Sequence, residues 1–485
     1  MGIVKKLNKS NWLFWLLLLL IIAGAAVVMV HYSGYSFWGD ELATVTFSNP
    51  NHSLLETLKL DLLDDTTVPP LFYLAANLWM KVSPYGTRWL LVICEVFTLV
   101  GIVFSALTAR NIADNTAGLL TALIMALMPY CVTQGGYEFR HYALWLMFTS
   151  LILFFGARKY RNPSVLNLVG YGLAAVFAAY THFSAVIFFF SLFLLDVFLF
   201  LKKRITIRHI SSYLLFGVLF FPYLLFAYTR ATSVRTSFWT TAPGLADFFR
   251  IMPSLLKTVP VMILYYAAVL WMLYRLIKAL RGGANLFEEP LFPAWMLFAV
   301  ILCYRLVTFI YSNLNPNFSM WTDRYFFCLM PCIGIILGLC CRDVLERVPC
   351  AAFAVCFAGM TVWMLFAHWQ VLKDNRFPEI IRQPLEQAAE VLRETGDLFN
   401  DDTAVYYSAD NIEAWQYYLA HGDMTPGLMN LLPRDSAQVD LSPYNLIYVM
   451  NVVSAIPDET WAHFTESFDV EELHHDLQLY RLTRK

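Results

Sequence analysis

The sequence has few charged residues for its length. Only 14% of the 485 residues are Asp, Glu, Lys or Arg, whereas 59% are hydrophobic, and the mean hydropathy is +0.55. These values lie well outside those of soluble domains and predict an integral membrane protein. The net charge of −2 gives no reason to expect a nucleic-acid partner.

Disulfide, metal and phosphate-loop signals are also missing. All nine cysteines lie before residue 370, in or beside apolar runs, so no disulfide framework is predicted. Cys328 and Cys332 are four residues apart, but no His or carboxylate stands at ligand spacing, which favours apolar core residues over a metal site. The first apolar run, Trp12 to Val30, has no small-residue cleavage pattern after it and is predicted to be a retained span.

Long apolar runs dominate what is present. A hydrocarbon core about 30 Å thick requires roughly 20 apolar residues per helix, and about eleven runs fit this template. They lie near residues 12–30, 89–109, 116–134, 142–157, 164–181, 183–201, 210–229, 259–278, 291–311, 325–341 and 349–369.

Lys and Arg concentrate in alternate, short connections between these runs. The positive-inside rule makes those connections cytoplasmic and places the N-terminus on the same side. The longer connections, 31–88 and 230–258, and the tail are then extracytoplasmic. The basic connections contain Lys5, Lys6 and Lys9; Arg110; Arg158, Lys159 and Arg161; Lys202, Lys203, Arg204 and Arg208; Lys278 and Arg281; Arg342 and Arg347.

Two domains are predicted. Residues 1–369 form a multi-span membrane domain that includes the outer loop 31–88, in which residues 53–63 have apolar residues at helical spacing. An interfacial helix and a surface helix packed on the spans both fit this pattern. Residues 370–485 mix a helix pattern at 378–394 with short β-like runs, which predicts a small extracytoplasmic α/β domain.

Polar residues gather at the extracytoplasmic ends of the spans. Four separate loops contribute Asp40 and Glu41; Glu138, Arg140 and Tyr142; His182; and Arg324 with Tyr325. This combination suits acid/base chemistry on an anionic substrate, and the simpler explanation is interfacial anchoring by Tyr, Trp and Arg. Arg305 lies inside an apolar run, where a charge must be paired or face a polar cavity.

Four stretches resemble those of a known family. Trp38-Gly39-Asp40-Glu41, Pro69-Pro70-Leu71-Phe72-Tyr73, Glu138-Phe139-Arg140-His141-Tyr142 and Arg324-Tyr325 are similar in order and spacing to motifs of the GT-C membrane glycosyltransferases. The resemblance is to the bacterial relatives of protein O-mannosyltransferases and of the lipid A aminoarabinose transferase. It implies a GT-C-like fold, a polyprenyl-phosphate sugar donor, an inverting transfer, and a lipid, cell-envelope glycan or protein as acceptor.

The resemblance also implies roles for individual residues. The catalytic acidic residue of the first outer loop corresponds to Asp40, whose carboxylate can take the acceptor proton as general base. Glu41 is expected to orient the acceptor or share a proton with Asp40. Arginine matches the charge of a lipid phosphate, so Arg324 and Arg140, with Tyr325, are assigned to the donor phosphate. Glu138, Tyr142, His182 and Asp65 are assigned to substrate binding.

The chain departs from the family near its double proline. Asp65 is displaced by one position from the family's acidic residue, and the Glu that metal-binding relatives have before the prolines is absent. The sequence therefore does not decide whether the protein binds a divalent metal, and no metal ligands are assigned.

A polytopic transporter and a non-catalytic binder of a lipid-linked glycan are the alternative functions. A transporter should show internal repeats and matching broken segments, which the sequence lacks. A binder needs the same polar loops as an enzyme, so the sequence does not separate the two.

Overall fold

The computed structural model describes residues 8–32, 36–64, 68–233, 240–348, 350–373, 385–409, 412–451 and 455–485. Its helices are α1 (Asn11–Tyr32), α2 (Gly39–Phe47), α3 (Leu54–Asp64), α4 (Leu71–Met80), α5 (Thr87–Ile112), α6 (Asn115–Leu127), α7 (Pro129–Gly136), α8 (Tyr142–Arg161), α9 (Val165–Ala179), α10 (Ser184–Leu201), α11 (Ile207–Ser233), α12 (Leu245–Leu256), α13 (Val259–Arg281), α14 (Phe292–Leu314), α15 (Met330–Arg347), α16 (Cys350–Lys373), α17 (Leu385–Arg393), α18 (Ile412–Leu419) and α19 (Asp458–Ser467).

The chain separates into two compact units. The first, here called the membrane unit, comprises Met1–Tyr32, Asp64–Phe72 and Cys94–Arg376. The second, the loop-and-tail unit, comprises Ser33–Leu63, Tyr73–Ile93 and Phe377–Lys485. Most of the outer loop therefore groups with the tail, whereas the prediction counted it within the membrane domain.

Every predicted span coincides with a helix or a helix pair. Among the described residues, seven helical segments are long and apolar enough to cross a membrane, and these make the chain a multi-pass membrane protein. They are Asn11–His31, Thr87–Ile112, Ser184–Leu201, Ile207–Thr229, Val259–Arg281, Phe292–Leu314 and Asp323–Arg347. The predicted count of about eleven is not confirmed.

The predicted span at 116–134 is broken. Helix α6 ends at Leu127, α7 begins at Pro129, and the two are bent by 65°. Proline lacks a backbone N–H and disfavours a helical conformation in the residue before it. Met128 accordingly has an extended backbone, with φ −77° and ψ 113°.

Helix α15 lies at the core of the membrane unit. Its residues from Met330 to Cys341 are all buried. Gly334 and Gly338, four residues apart, allow close approach to α6, because a Cβ added at Gly338 would lie 2.9 Å from the Ala117 carbonyl oxygen. Such spacing of small residues is a common means of packing membrane helices.

A buried ion pair joins α8 and α10. The Lys159 Nζ lies 2.5 Å from an Asp196 oxygen, and both side chains are fully buried. Tyr160 and Tyr213 donate hydrogen bonds to the same carboxylate, the latter at 2.9 Å. The Lys159 ammonium also lies 3.7 Å from the Tyr171 ring centroid. The pairing offsets the high cost of a single charge in a nonpolar environment.

The loop-and-tail unit contains the predicted α/β domain. Its strands are β1 (Thr403–Tyr407), β2 (Asn430–Leu432), β3 (Leu446–Met450), β4 (Phe468–His474) and β5 (Leu479–Arg484), in the order β2-β1-β3-β5-β4. Strand β1 is parallel to β2 and β3, whereas β5 is antiparallel to β3 and β4. The sequence missed β2, β4 and α19. The first part of the predicted helix at 378–394 lies outside the described residues.

Outer-loop residues bond directly to α18 within this unit. The Tyr418 hydroxyl accepts the Phe37 N–H at 2.8 Å and lies 2.8 Å from the Thr87 hydroxyl. The neighbouring Tyr417 hydroxyl accepts the Gly86 N–H at 3.0 Å. These bonds satisfy buried backbone donors, which explains why loop and tail form one compact body.

Helix α3 confirms the helical pattern of residues 53–63. Ser53 and Glu56 cap its start, since each backbone N–H bonds to the other's side chain, at 2.7 and 3.2 Å. Leu54 and Leu55 are exposed, as an interfacial helix requires.

We predict that Asp196→Asn destabilises the protein by about 3–5 kcal/mol, because it leaves the Lys159 ammonium buried and unpaired. Thermal unfolding of the purified protein in detergent measures this loss. The double change Lys159→Met with Asp196→Leu is the matched control and should recover most of the stability. Equal unfolding temperatures for Asp196→Asn and the native protein would contradict the prediction.

Candidate active site

Asp40 and Glu41 occupy the first turn of α2. The Glu41 carboxylate accepts the Trp38 N–H at 3.2 Å, which satisfies a donor at the helix start, and the side chain is fully buried. Asp40 is half-buried and lies in the first turn of the helix. Glu41 therefore helps to form the turn that carries Asp40.

Arg140 lies in the short connection between α7 and α8. Its carbonyl accepts a weak hydrogen bond from the Cys94 thiol at 3.8 Å, and Gln134 donates to the carboxylate of neighbouring Glu138. Arg140 and Glu138 are both buried. Because α7 ends at Gly136 and α8 begins at Tyr142, the polar motif lies between two helices rather than within a span.

His182 is the centre of an aromatic cluster in the membrane unit. Its ring stacks on Trp145, with centroids 4.1 Å apart and an interplanar angle of 4°. The ring centroids of His141, Tyr325 and Tyr142 lie 4.9, 4.8 and 6.1 Å from that of His182. Three loops that are distant in the sequence thus meet at one imidazole.

The His182 imidazole is neutral. The Ser184 N–H donates to its Nδ1 at 3.0 Å, so the hydrogen is on Nε2, which can donate to a substrate oxygen. Burial, and then the positive charge of Arg140, lower the pKa of His182 to about 3. Burial lowers the pKa of His141 well below its usual value, and the charges of Arg140 and Arg324 act in the same direction.

Arg324 and Tyr325 stand at the start of a 3-10 helix, Asp323–Leu329. Its first residue, Asp323, accepts a hydrogen bond from Ser254 and lies 3.7 Å from the Lys257 ammonium. The Tyr304 hydroxyl donates to the Tyr325 carbonyl. Contacts from α12 and α14 therefore fix this turn, and the charge of Arg324 acts on the neighbouring His141.

The double-proline segment is attached to the same cluster. The Leu71 N–H donates to the Tyr180 carbonyl at 3.0 Å, two residues before His182. Phe72 packs edge-on against Phe139, with centroids 5.8 Å apart, next to Arg140. Asp65 lies outside the described residues, so its assignment stays a prediction.

The membrane unit therefore brings together Arg140, Tyr142, His182, Arg324 and Tyr325. Asp40 and Glu41 belong to the loop-and-tail unit. The arrangement around His182 presents permanent positive charge beside a neutral hydrogen-bond donor, which suits a phosphate ester.

Sequence reasoning missed two members of the cluster. The sequence predicts no role for His141, and it predicts that Trp145 lies within a membrane span. Trp145 follows His141 by four residues on α8, a spacing that places two side chains on one helix face. This four-residue spacing indicates that His141 and Trp145 belong to the same cluster.

Arg305, the predicted intramembrane charge, lies on α14 and is buried. It donates to the Phe248 carbonyl, and its guanidinium carbon lies 4.4 Å from the Phe248 ring centroid. A contact with α12 thus stabilises part of its charge.

Within the described ranges, no group of three or more His, Cys, Asp or Glu side chains is arranged to hold a metal ion. Binding of a divalent metal is therefore untested, and no residue is assigned as a metal ligand.

Comparison with known proteins identifies the class of this fold. The family model of dolichyl-phosphate-mannose-protein mannosyltransferases matches residues 67–229. The structure is similar to apo ArnT from Cupriavidus metallidurans, with a TM-score of 0.61 and 12% identity over 98% of both chains. ArnT bound to undecaprenyl phosphate gives a TM-score of 0.59 with the same identity and coverage. No curated protein sequence matches the chain.

A third similar structure is the apo oligosaccharyltransferase of Archaeoglobus fulgidus, with a TM-score of 0.52 and 10% identity over 91% of this chain and 70% of that one. The fold is similar to the folds of these membrane proteins, which confirms the GT-C-like fold predicted from the motifs.

We predict that the low pKa of His182 makes the protein less stable as pH falls. The unfolded chain takes up a proton near pH 6.5, whereas the folded chain does not until about pH 3. Between pH 7.5 and 5 the native protein should lose about 2 kcal/mol more than His182→Gln. Unfolding temperatures in detergent across this range measure the difference.

The control is His475→Gln, an exposed histidine beside Glu472. The bond to Glu472 raises the pKa of His475, so this variant should not reduce the loss of stability at low pH. His141 adds a loss of the same sign, so His182→Gln should reduce the dependence without abolishing it. Parallel curves for His182→Gln and the native protein would show that the native imidazole titrates normally.

Proposed function

We propose that this protein transfers a sugar from a polyprenyl-phosphate donor to an acceptor at the extracytoplasmic face of a cell membrane, with inversion at the sugar C1. The acceptor is a lipid, a cell-envelope glycan or a protein. The observation that supports this most directly is the cluster of Arg140, Arg324, Tyr325 and neutral His182. Its charge matches a lipid phosphate, and the similar ArnT is described in complex with undecaprenyl phosphate.

Asp40 acts as the general base in this proposal. Its carboxylate takes the proton of the acceptor hydroxyl as the oxygen forms a bond to the sugar C1. The bond from C1 to the phosphate oxygen breaks on the opposite face, and its electron pair leaves with the lipid phosphate. A single displacement of this kind inverts the configuration at C1.

Arg140 and Arg324 stabilise the charge that develops on the departing phosphate. Both guanidinium groups are permanently charged and lie near the histidine pair, since both lower the pKa of His141. Tyr325 assists them. The His182 Nε2–H, Tyr142 and Glu138 bind oxygens and hydroxyls of the substrate, and Asp65 is assigned to the same task.

Glu41 supports Asp40 through the turn they share. Its bond to the Trp38 N–H shapes the start of α2, and orientation of the acceptor by Glu41 is a secondary role. Glu41 is therefore better described as a positioning residue than as a second base.

The orientation follows from the loop charges. We place the N-terminus in the cytoplasm and the α/β domain outside it, because the short basic connections should remain cytoplasmic. The α/β domain then faces the compartment from which a large acceptor would arrive.

We predict that Asp40→Asn lowers the rate of transfer by about 100- to 10,000-fold, because the amide cannot accept the proton. The substrate is a synthetic polyprenyl-phosphate sugar, and product formation is followed by mass spectrometry. Donor binding, measured separately by titration, should change little. Full activity of Asp40→Asn would remove Asp40 as the base, and donor binding with no product from the native protein would favour the non-catalytic binder.

We also predict that Arg140→Gln and Arg324→Gln each weaken donor binding by about 10- to 100-fold, the value of a charge-assisted hydrogen bond to phosphate. The matched control is Arg250→Gln, an exposed arginine paired only loosely with Asp247 at 3.9 Å. The assignment fails if the Arg250 variant loses as much affinity as the other two. Solute flux in proteoliposomes without glycosyl product would favour a transporter.

A further inference from the structure

A cavity of about 360 Å³ lies in the membrane unit, far from the His182 cluster along helix α8. It forms where the C-terminal ends of α5, α8 and α10 meet the start of α14. Helix α8 carries Tyr142 at one end and Arg161, which lines the cavity, at the other. At 1.5 Å per residue the two ends are about 28 Å apart.

The walls of this cavity are apolar, and its rim is cationic. The walls include Ile152, Leu153, Leu192, Leu199, Met296 and Leu297. Arg161 and Arg204 also line it, and both are exposed. This volume is in the range of small-molecule sites.

The two arginines are available for an anion. Arg204 stacks on Phe287, with its guanidinium carbon 4.1 Å from the ring centroid, and donates to the Asn285 side chain at 3.3 Å. Arg161 has no ion pair or hydrogen bond with any residue that the structure describes. The Asn285 amide also donates to the Glu288 carboxylate at 2.6 Å, so Glu288 offsets part of the Arg204 charge. Two arginines against this carboxylate still leave a net positive charge.

Nearby carboxylates do not neutralise this rim. Asp196 is bonded to Lys159 at 2.5 Å, and Glu289 is bonded to Arg275 at 2.8 Å. Each of these charges already has a partner of opposite sign. The rim of the cavity therefore has net positive charge.

We propose that this cavity binds an anionic phospholipid, with one acyl chain among the leucines and the phosphate at Arg161 and Arg204. An apolar cavity with a cationic rim is complementary to a molecule that has both a chain and a negative head group. Basic pockets between membrane helices bind anionic head groups in this way, and arginine offers a planar pair of donors to phosphate. The site does not depend on the proposed transfer reaction.

The test uses the full chain in detergent, titrated with phosphatidylglycerol or phosphatidylcholine of the same acyl chains and monitored by native mass spectrometry. Phosphatidylglycerol should bind at least ten times more tightly. Arg161→Gln with Arg204→Gln should weaken that binding by about 30-fold. Lys202→Gln with Lys203→Gln removes the same charge from the same end of the helices without touching the cavity and should leave the affinity unchanged.

A second variant tests the chain-binding part. Ala157 lines the cavity, and Ala157→Phe fills it while keeping both arginines. This variant should lose phosphatidylglycerol binding by at least ten-fold, and inorganic phosphate should not compete with the lipid in the native protein. Equal affinity for the two lipids, equal loss in the Lys202/Lys203 control, unchanged binding in Ala157→Phe, or competition by phosphate would each overturn the proposal.

Discussion

The high cost of burying an unpaired charge is the constraint on which this structure depends. A membrane interior offers no water to stabilise an isolated ion, so Lys159 has Asp196, and Arg275 has Asp343 at 2.5 Å and Glu289 at 2.8 Å. The charges in these ion pairs are not available to bind a substrate. The polar side chains suited to chemistry lie instead in the connections between helices. The short segment that holds Arg140 and the turn that holds Arg324 are both of this kind.

Packing converts these connections into a defined site. Trp145 fixes the plane of the His182 ring, the Ser184 N–H fixes its tautomer, and Tyr304 holds the Tyr325 carbonyl. Burial keeps the pKa of His182 low, so the imidazole adds no third positive charge beside the two arginines. The result is a buried cationic cluster in which the His182 imidazole stays neutral over physiological pH.

Much of this architecture could be predicted. Runs of about 20 apolar residues identify the spans, and loop charges indicate their direction, because both depend on composition averaged over many residues. The β-like runs of the tail were readable for β1, β3 and β5. The three-residue strand β2 and strand β4, which has three acidic residues, are not predicted from the sequence. Their stability comes from pairing with neighbouring strands rather than from their own apolar pattern.

The sequence by itself determined the membrane class, the multi-pass helical fold, the α/β tail and the polar loops that contain the candidate residues. Hydrophobicity adds up along a run of residues, so these features can be predicted from the sequence. The tertiary structure alone decided that Trp145 stacks on His182 and that Tyr418 of the tail accepts the Phe37 N–H. Those outcomes depend on directional contacts between residues, some distant in the sequence, and a one-dimensional pattern does not specify such contacts.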